Sequence, residues 1–116
     1  MPQTILITGA STGIGKAAAE LFFERGWNVV ATMRTPKAER NDPRWHVAKL
    51  DVTDPVSIDA AIRDAAAKFG RIDVIVNNAG YGLSGTFESM DEAKLRRQFE
   101  TNVFGLMRCV KAILPH

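Results

Sequence analysis

The 116-residue sequence contains one cysteine (Cys109), one tyrosine (Tyr81) and two histidines (His46 and His116). A lone thiol cannot close an internal disulfide, so a reducing, cytoplasmic setting is expected. The histidines stand far apart without ligand-spaced companions, which supports neither a zinc site nor a Ser-His-Asp arrangement. No apolar run approaches the ~18 residues of a membrane helix. Met1-Pro2-Gln3-Thr4 leads into a strand-like run with no basic stretch of the kind that opens a secretion signal. Lys and Arg total 15 against 13 Asp and Glu, net +2, too little for a nucleic-acid binder, which needs a clustered basic face. With 46% hydrophobic and 24% charged residues, the chain has the composition of a globular protein of about one domain, spanning 1–116.

The residues that are present alternate β-rich runs with helical ones. Strands are expected at Thr4–Thr8, Trp27–Met33, Trp45–Leu50 and Ile72–Val76, the last as an apolar run, apart from Asp73, buried on both faces. A first helix is expected to show the stripe Ile14, Ala17, Ala18, Leu21 and Phe22 and to stop at Gly26. Thr35–Arg44, with two prolines and five charged residues, reads as a solvated loop. A second helix starts at Asp54-Pro55, packs Ile58, Ile62, Ala65, Ala66 and Phe69, and closes on Gly70. A third opens on a Ser89-x-x-Glu92 capping box and runs to about Leu114. Right-handed crossovers then predict an α/β fold, a doubly wound parallel sheet in the order 3-2-1-4 that ends before a fifth strand.

The chemistry concentrates in Thr8-Gly9-Ala10-Ser11-Thr12-Gly13-Ile14-Gly15, between the first strand and the first helix. Glycines there let the backbone turn tightly and admit a pyrophosphate where a Cβ would obstruct it, with helix N–H groups facing the anion. Gly9, Ser11, Thr12, Gly13, Ile14 and Gly15 are therefore candidate cofactor-binding residues. The bland alternative is a plain glycine-rich turn, but a strand before and a helix after favour the cradle. A P-loop is excluded, because Ala17 follows Lys16 where Ser or Thr is required.

Four motifs now stand in order: Thr-Gly-x-x-x-Gly-x-Gly at 8–15, Asp51-Val52, Asn77-Asn78-Ala79-Gly80, and Asn102-x-x-Gly105. With them the sequence resembles the N-terminal, cofactor-binding half of the short-chain dehydrogenase/reductase family. The resemblance implies a Rossmann-type fold and hydride transfer between a nicotinamide cofactor and a small-molecule alcohol or carbonyl. It also implies that Asp51 and Val52 hold adenine, and that Asn77 to Gly80 pass along the cofactor's ribose, with Asn78, Ala79 and Gly80 as binding residues. Asp51 could instead cap the turn before the second helix, and the asparagines could instead hold the strand end.

Where an acidic residue would bind the adenosine ribose hydroxyls, the second strand ends in Met33-Arg34. A guanidinium can pair a phosphate bidentately. NADP(H) is therefore expected in preference to NAD(H), with Arg34 on the 2′-phosphate; the alternative is a solvated strand-end charge.

The third helix has a predicted core stripe of Leu95, Phe99, Asn102, Leu106, Cys109 and Ile113. A buried amide must be satisfied. The resemblance gives Asn102 a catalytic role, organising a proton-relaying water; the alternative is a structural bend assisted by Gly105. A second stripe, Val103, Met107, Val110 and Leu114, leaves this helix apolar nearly all round and in want of cover on both sides; the resemblance implies a homo-oligomer formed through residues 90–114, the alternative being cover by sequence outside these residues. The catalytic Ser and Tyr-x-x-x-Lys of the family have no counterpart in these 116 residues, since Gly85 stands four residues after Tyr81. The chain is thus expected to bind cofactor without turnover, as a partial oxidoreductase or a non-catalytic dinucleotide-binding module.

Overall fold

The computed structural model describes residues 2–37 and 40–116; positions 38–39 of the expected loop lie outside the described residues. Strands β1 (Thr4–Ile7), β2 (Asn28–Met33), β3 (Trp45–Lys49) and β4 (Val74–Val76) form one parallel sheet in the order β3-β2-β1-β4, as expected. Helices α1 (Gly13–Glu24) and α2 (Pro55–Phe69) make the crossovers. After a 3₁₀ turn at Phe87–Ser89 come α3 (Glu92–Phe99), a π-helical segment (Glu100–Gly105) and α4 (Leu106–Ile113).

Alternation along the strands sorts the core onto two faces. Ile5, Ile7, Val29 and Ala31 face α1, together with Ala18, Ala19, Phe22 and Phe23. Leu6, Val30, Ala48 and Leu50 face α2 and α4, meeting Ile58, Ile62, Ala65, Cys109 and Ile113.

The expected stripe of α1 is rotated from the one observed. Ile14 is 81% exposed and Leu21 is also exposed, while Gly15 and Ala19 are buried. A Cβ on Gly15 would lie 2.2 Å from the Gly9 carbonyl oxygen. That close approach turns the Gly15 face toward β1, and successive helix positions 100° apart carry Ile14 outward. The stop at Gly26 is a Schellman motif: with Gly26 at φ 90°, its N–H donates to Phe23 O and that of Trp27 to Phe22 O. The accompanying apolar contact is an edge-on pair, Phe22 against Trp27, with ring centroids 5.0 Å apart. Arg44 adds donors to the carbonyls of Phe23 and Trp27, which ties the end of the post-β2 loop to this helix end.

α2 forms as read, with Asp54 accepting from Val56 N–H and Gly70 in the left-handed conformation at its end; Ser57 and Ala61 join its buried face. β4 is shorter than expected and is not buried on both faces. Among the described residues it pairs only with β1, and Val74 is exposed at this edge. Asp73, the polar exception in that run, lies just before the strand and accepts from Thr4 N–H at 2.8 Å while pairing with Arg71.

The third helix departs most from expectation. Ser89 caps nothing: its hydroxyl bonds to Thr86 inside the 3₁₀ turn, and Asp91 caps α3 through Ala93 N–H. The helix is not one α-helix, because the π segment intervenes. Phe99 and Leu106 of the predicted stripe are exposed, and only Cys109 and Ile113 are buried. The wide π turn shifts the phase between α3 and α4, so no single 3.6-residue stripe can face the core along both.

Candidate cofactor cleft

The carboxyl ends of β1, β2, β3 and β4 open onto a cavity of about 630 Å³. It is lined by Gly9, Ser11 and Thr12 after β1, Met33 and Arg34 at the end of β2, Leu50 to Thr53 after β3, Asn78 to Tyr81 after β4, and Arg97 and Thr101 from the third helical run. This is the usual ligand position in an open parallel sheet. Of the sequence-derived candidates, Gly9, Ser11, Thr12, Arg34, Asp51, Val52, Asn78, Ala79 and Gly80 line it together. Gly13, Ile14 and Gly15 do not. Gly15 is buried behind the first turn, and Gly13 and Ile14 are exposed at the start of α1.

The two turns that frame the cleft are bolted together. Thr8 is buried, and its hydroxyl oxygen accepts from both Asn78 N–H and Ala79 N–H at 3.0 Å. The Asn78 side chain donates to the Gly9 carbonyl at 3.0 Å. Gly9 has φ 66°, and a Cβ there would come within 3.0 Å of Ala79 Cα. Backbones approach here where only glycine fits. The asparagine that could have held only the strand end does so, and it also shapes the cleft. Thr8 opens the glycine motif but is not among the binding residues read from the sequence, because its hydroxyl serves the neighbouring turn.

The start of α1 is bare. Thr12 precedes it without a side-chain capping bond, and no acidic residue occupies its first turn. Gly13 has φ 60° with open space where a Cβ would be. Free N–H groups beside a cleft without a competing carboxylate suit a phosphate. The cradle therefore fits a dinucleotide's pyrophosphate.

Asp51 caps the turn before α2, the alternative role read from its sequence position. Its Oδ1 accepts from Thr53 N–H at 2.9 Å and from the Thr53 hydroxyl at 2.7 Å, an Asx-type turn. These bonds, the hydroxyl's foremost, hold its carboxyl below the usual range, aided by Arg34 and Lys49 and opposed by partial burial. Its Oδ2 has no partner among the described residues. Ser57 braces the same corner, accepting from Asp51 N–H at 2.9 Å. Arg34 is exposed at the rim with no ion pair among the described residues, whereas Met33 is buried.

Asn102 is half-buried, and each end of its amide bonds to the same residue. Oδ1 accepts from Tyr81 N–H at 3.0 Å, and Nδ2 donates to Tyr81 O at 2.7 Å. The buried amide expected to need a partner finds it in the loop after β4, which the sequence could not reveal across 21 residues. The same segment bends as the alternative reading held, through the π turn. There Gly105 lies against Val52, with an added Cβ 2.6 Å from its Cγ2. Arg108 spans the turn, pairing with Glu100 and reaching Val52 O at 3.4 Å.

Among the described residues no cluster of His, Cys, Asp and Glu could hold a metal, and no helix is long and apolar enough to cross a membrane.

Residues 3–116 match the family model described as short chain dehydrogenase. The 3-ketodihydrosphingosine reductase of Bacteroides thetaiotaomicron is 41% identical over 115 residues, covering 99% of this chain and 42% of that protein. The solved structure of ElxO with NADP bound superposes with a TM-score of 0.90 at 34% identity, over 100% of this chain and 50% of that one. The 3-ketoacyl-(acyl-carrier-protein) reductase of Brucella melitensis, complexed with NADH, gives 0.91 at 30%, over 98% and 50%. The chain thus spans about half the length of the proteins it matches, or less. The bolted glycine turns, the bare start of α1 and a family match over nearly every residue converge: this chain belongs to the short-chain dehydrogenase/reductase family.

Proposed function

We propose that the protein is an oxidoreductase that interconverts a small-molecule alcohol and a ketone or aldehyde, with NADP(H) preferred over NAD(H). The observation that carries the preference is the end of β2. Met33, buried there, offers no carboxylate to ribose hydroxyls, and Arg34 stands free at the rim beside Asp51. Solved relatives hold either cofactor, so the preference rests on these two residues.

Gly9, Ser11 and Thr12, with the N–H groups at the exposed start of α1 (Gly13 and Ile14), receive the pyrophosphate, and Gly15 serves by packing behind them. Arg34 takes the 2′-phosphate, Asp51 Oδ2 and Val52 take the adenine edge, and Asn78, Ala79 and Gly80 flank the ribose. A nicotinamide held there would supply hydride-transfer chemistry at the substrate carbon. Asn102 acts through Tyr81: by holding both backbone groups of that residue it sets the loop that follows the ribose site, and it takes part in catalysis as an organiser of the proton path. The group that exchanges a proton with the substrate oxygen is not supplied by these 116 residues, which hold no Tyr-x-x-x-Lys. Taken alone, they bind cofactor without turning over.

Phe99, Val103, Phe104, Met107 and Leu114 expose an apolar face on the 90–114 run, which fits burial against a second copy of the chain. The setting is cytoplasmic, in keeping with a single buried thiol.

Dissociation constants of NADPH and NADH for the protein and for Arg34→Ala test the cofactor assignment. NADPH is expected to bind more tightly and to lose that advantage in the variant. Equal affinities in the parent protein refute it.

A further inference from the structure

We propose that Arg97 covers the adenine end of the cleft, its guanidinium lying against the face of the purine while Asp51, Val52 and Thr53 hold the ring's edge from the opposite wall. The inference rests on the dinucleotide reading and adds a residue that no motif marks.

The placement is set by the π segment. Gly105 is pressed against Val52, so this helical run passes directly beside the corner after β3. Thr101 and Arg97, about one and two turns earlier, bring the same face of the run along the cavity, and both line it. The Arg97 side chain makes no hydrogen bond or ion pair among the described residues, although Arg96 pairs with Glu92 and Arg108 with Glu100. Nor does it cap a helix end. The Glu100 N–H bonds to the carbonyls of Arg96 and Arg97 and the helix continues, so no free carbonyls await a cation there. An uncommitted guanidinium at a cavity wall is planar and weakly hydrated, and it stacks on aromatic faces. Arg34, which acts on Asp51, is the residue proposed above for the 2′-phosphate. Arg97 comes from a different element, beside Tyr81 and Thr101.

Stacking and phosphate pairing make different predictions. NADPH and NADH share the purine and differ in the 2′-phosphate. In Arg97→Gln, calorimetric titration at ~0.15 M salt, which damps long-range charge effects, is expected to show both cofactors weakened by the same factor, roughly two- to five-fold. Nicotinamide mononucleotide, which lacks the purine, should bind as it does to the parent. Arg97 is exposed and unpaired, so the melting temperature of the cofactor-free variant should match the parent's and separates binding from folding. Unchanged affinity for both dinucleotides, or a loss confined to NADPH, overturns the assignment while leaving the dinucleotide reading intact. A parent protein that binds neither dinucleotide overturns both.

Discussion

Replacing Thr8 with valine isolates the bolt between the two cleft turns. Valine matches threonine in shape, so β1 keeps its packing and only the hydroxyl is lost. That oxygen is the acceptor for Asn78 N–H and Ala79 N–H. Asn78 N–H has a second acceptor, Val76 O at 3.1 Å, whereas Ala79 N–H has no other among the described residues. One orphaned donor, one weakened bond and the loss of the hydroxyl's long donation to Val76 O at 3.4 Å together cost about 2 kcal/mol, within the usual range for an unsatisfied buried group. For a domain of this size, roughly 4 °C per kcal/mol, the melting temperature should fall by roughly 8 °C. Thr8→Ser keeps the oxygen and loses one methyl, about 1 kcal/mol, so it should melt between the parent and Thr8→Val. NADPH affinity should fall in Thr8→Val, because the turn carrying Asn78 to Gly80 loses its anchor. Differential scanning fluorimetry and cofactor titration measure both. A valine variant melting within about 2 °C of the parent, or a serine variant melting below the valine one, refutes the reasoning.

Gly105→Ala places a methyl 2.6 Å from Val52 Cγ2 and 3.1 Å from its carbonyl oxygen. It should destabilise by about 1–3 kcal/mol in chemical denaturation and weaken dinucleotide binding through Val52. The Asp51 carboxyl is depressed in the folded state, so its contribution to stability is present above the unfolded value near pH ~4 and is lost as pH falls through the lower folded value. Thr53→Val, which removes the largest cause, should therefore show a shallower loss of stability below pH ~4 in acid unfolding curves. Burial pushes the Cys109 thiol up to about 11. Iodoacetamide at pH 8 should label it only after denaturant is added, and rapid labelling of the native protein would show that α4 does not pack as described.

The strand order, the two glycine helix stops and the tight glycine turn after β1 are legible in the sequence because each depends on local chemistry: strand-helix alternation, the left-handed preference of Gly26 and Gly70, and the absence of side chains at Gly9 and Gly15. The features that escape such reading are set by contacts between distant segments. Ile14 looks like a core position until the Gly9–Gly15 approach fixes how α1 is turned. Ser89 has the spacing of a capping box, but Asp91 stands nearer the helix and takes the role. Phe99 and Leu106 keep a perfect 3.6-residue rhythm that the π turn breaks, and a π turn carries no compositional mark. Asn102 stands out in the sequence as a polar residue in need of a partner, yet that partner is a backbone 21 positions away. Arg97 is invisible there, since one arginine among several on an exposed helix has nothing to distinguish it.

The irregular stretch at Glu100–Gly105 works like a washer between two threaded rods. One extra residue in a turn offsets the upstream helix by about 100° relative to the downstream one. Losing a single residue there would leave α4 seated on α2, yet it would swing Asn102, Thr101 and Arg97 a quarter-turn away from the sheet's mouth. Chain length across those six positions, as much as their side chains, therefore sets whether the ligand-facing and core-facing halves of this run can both be satisfied.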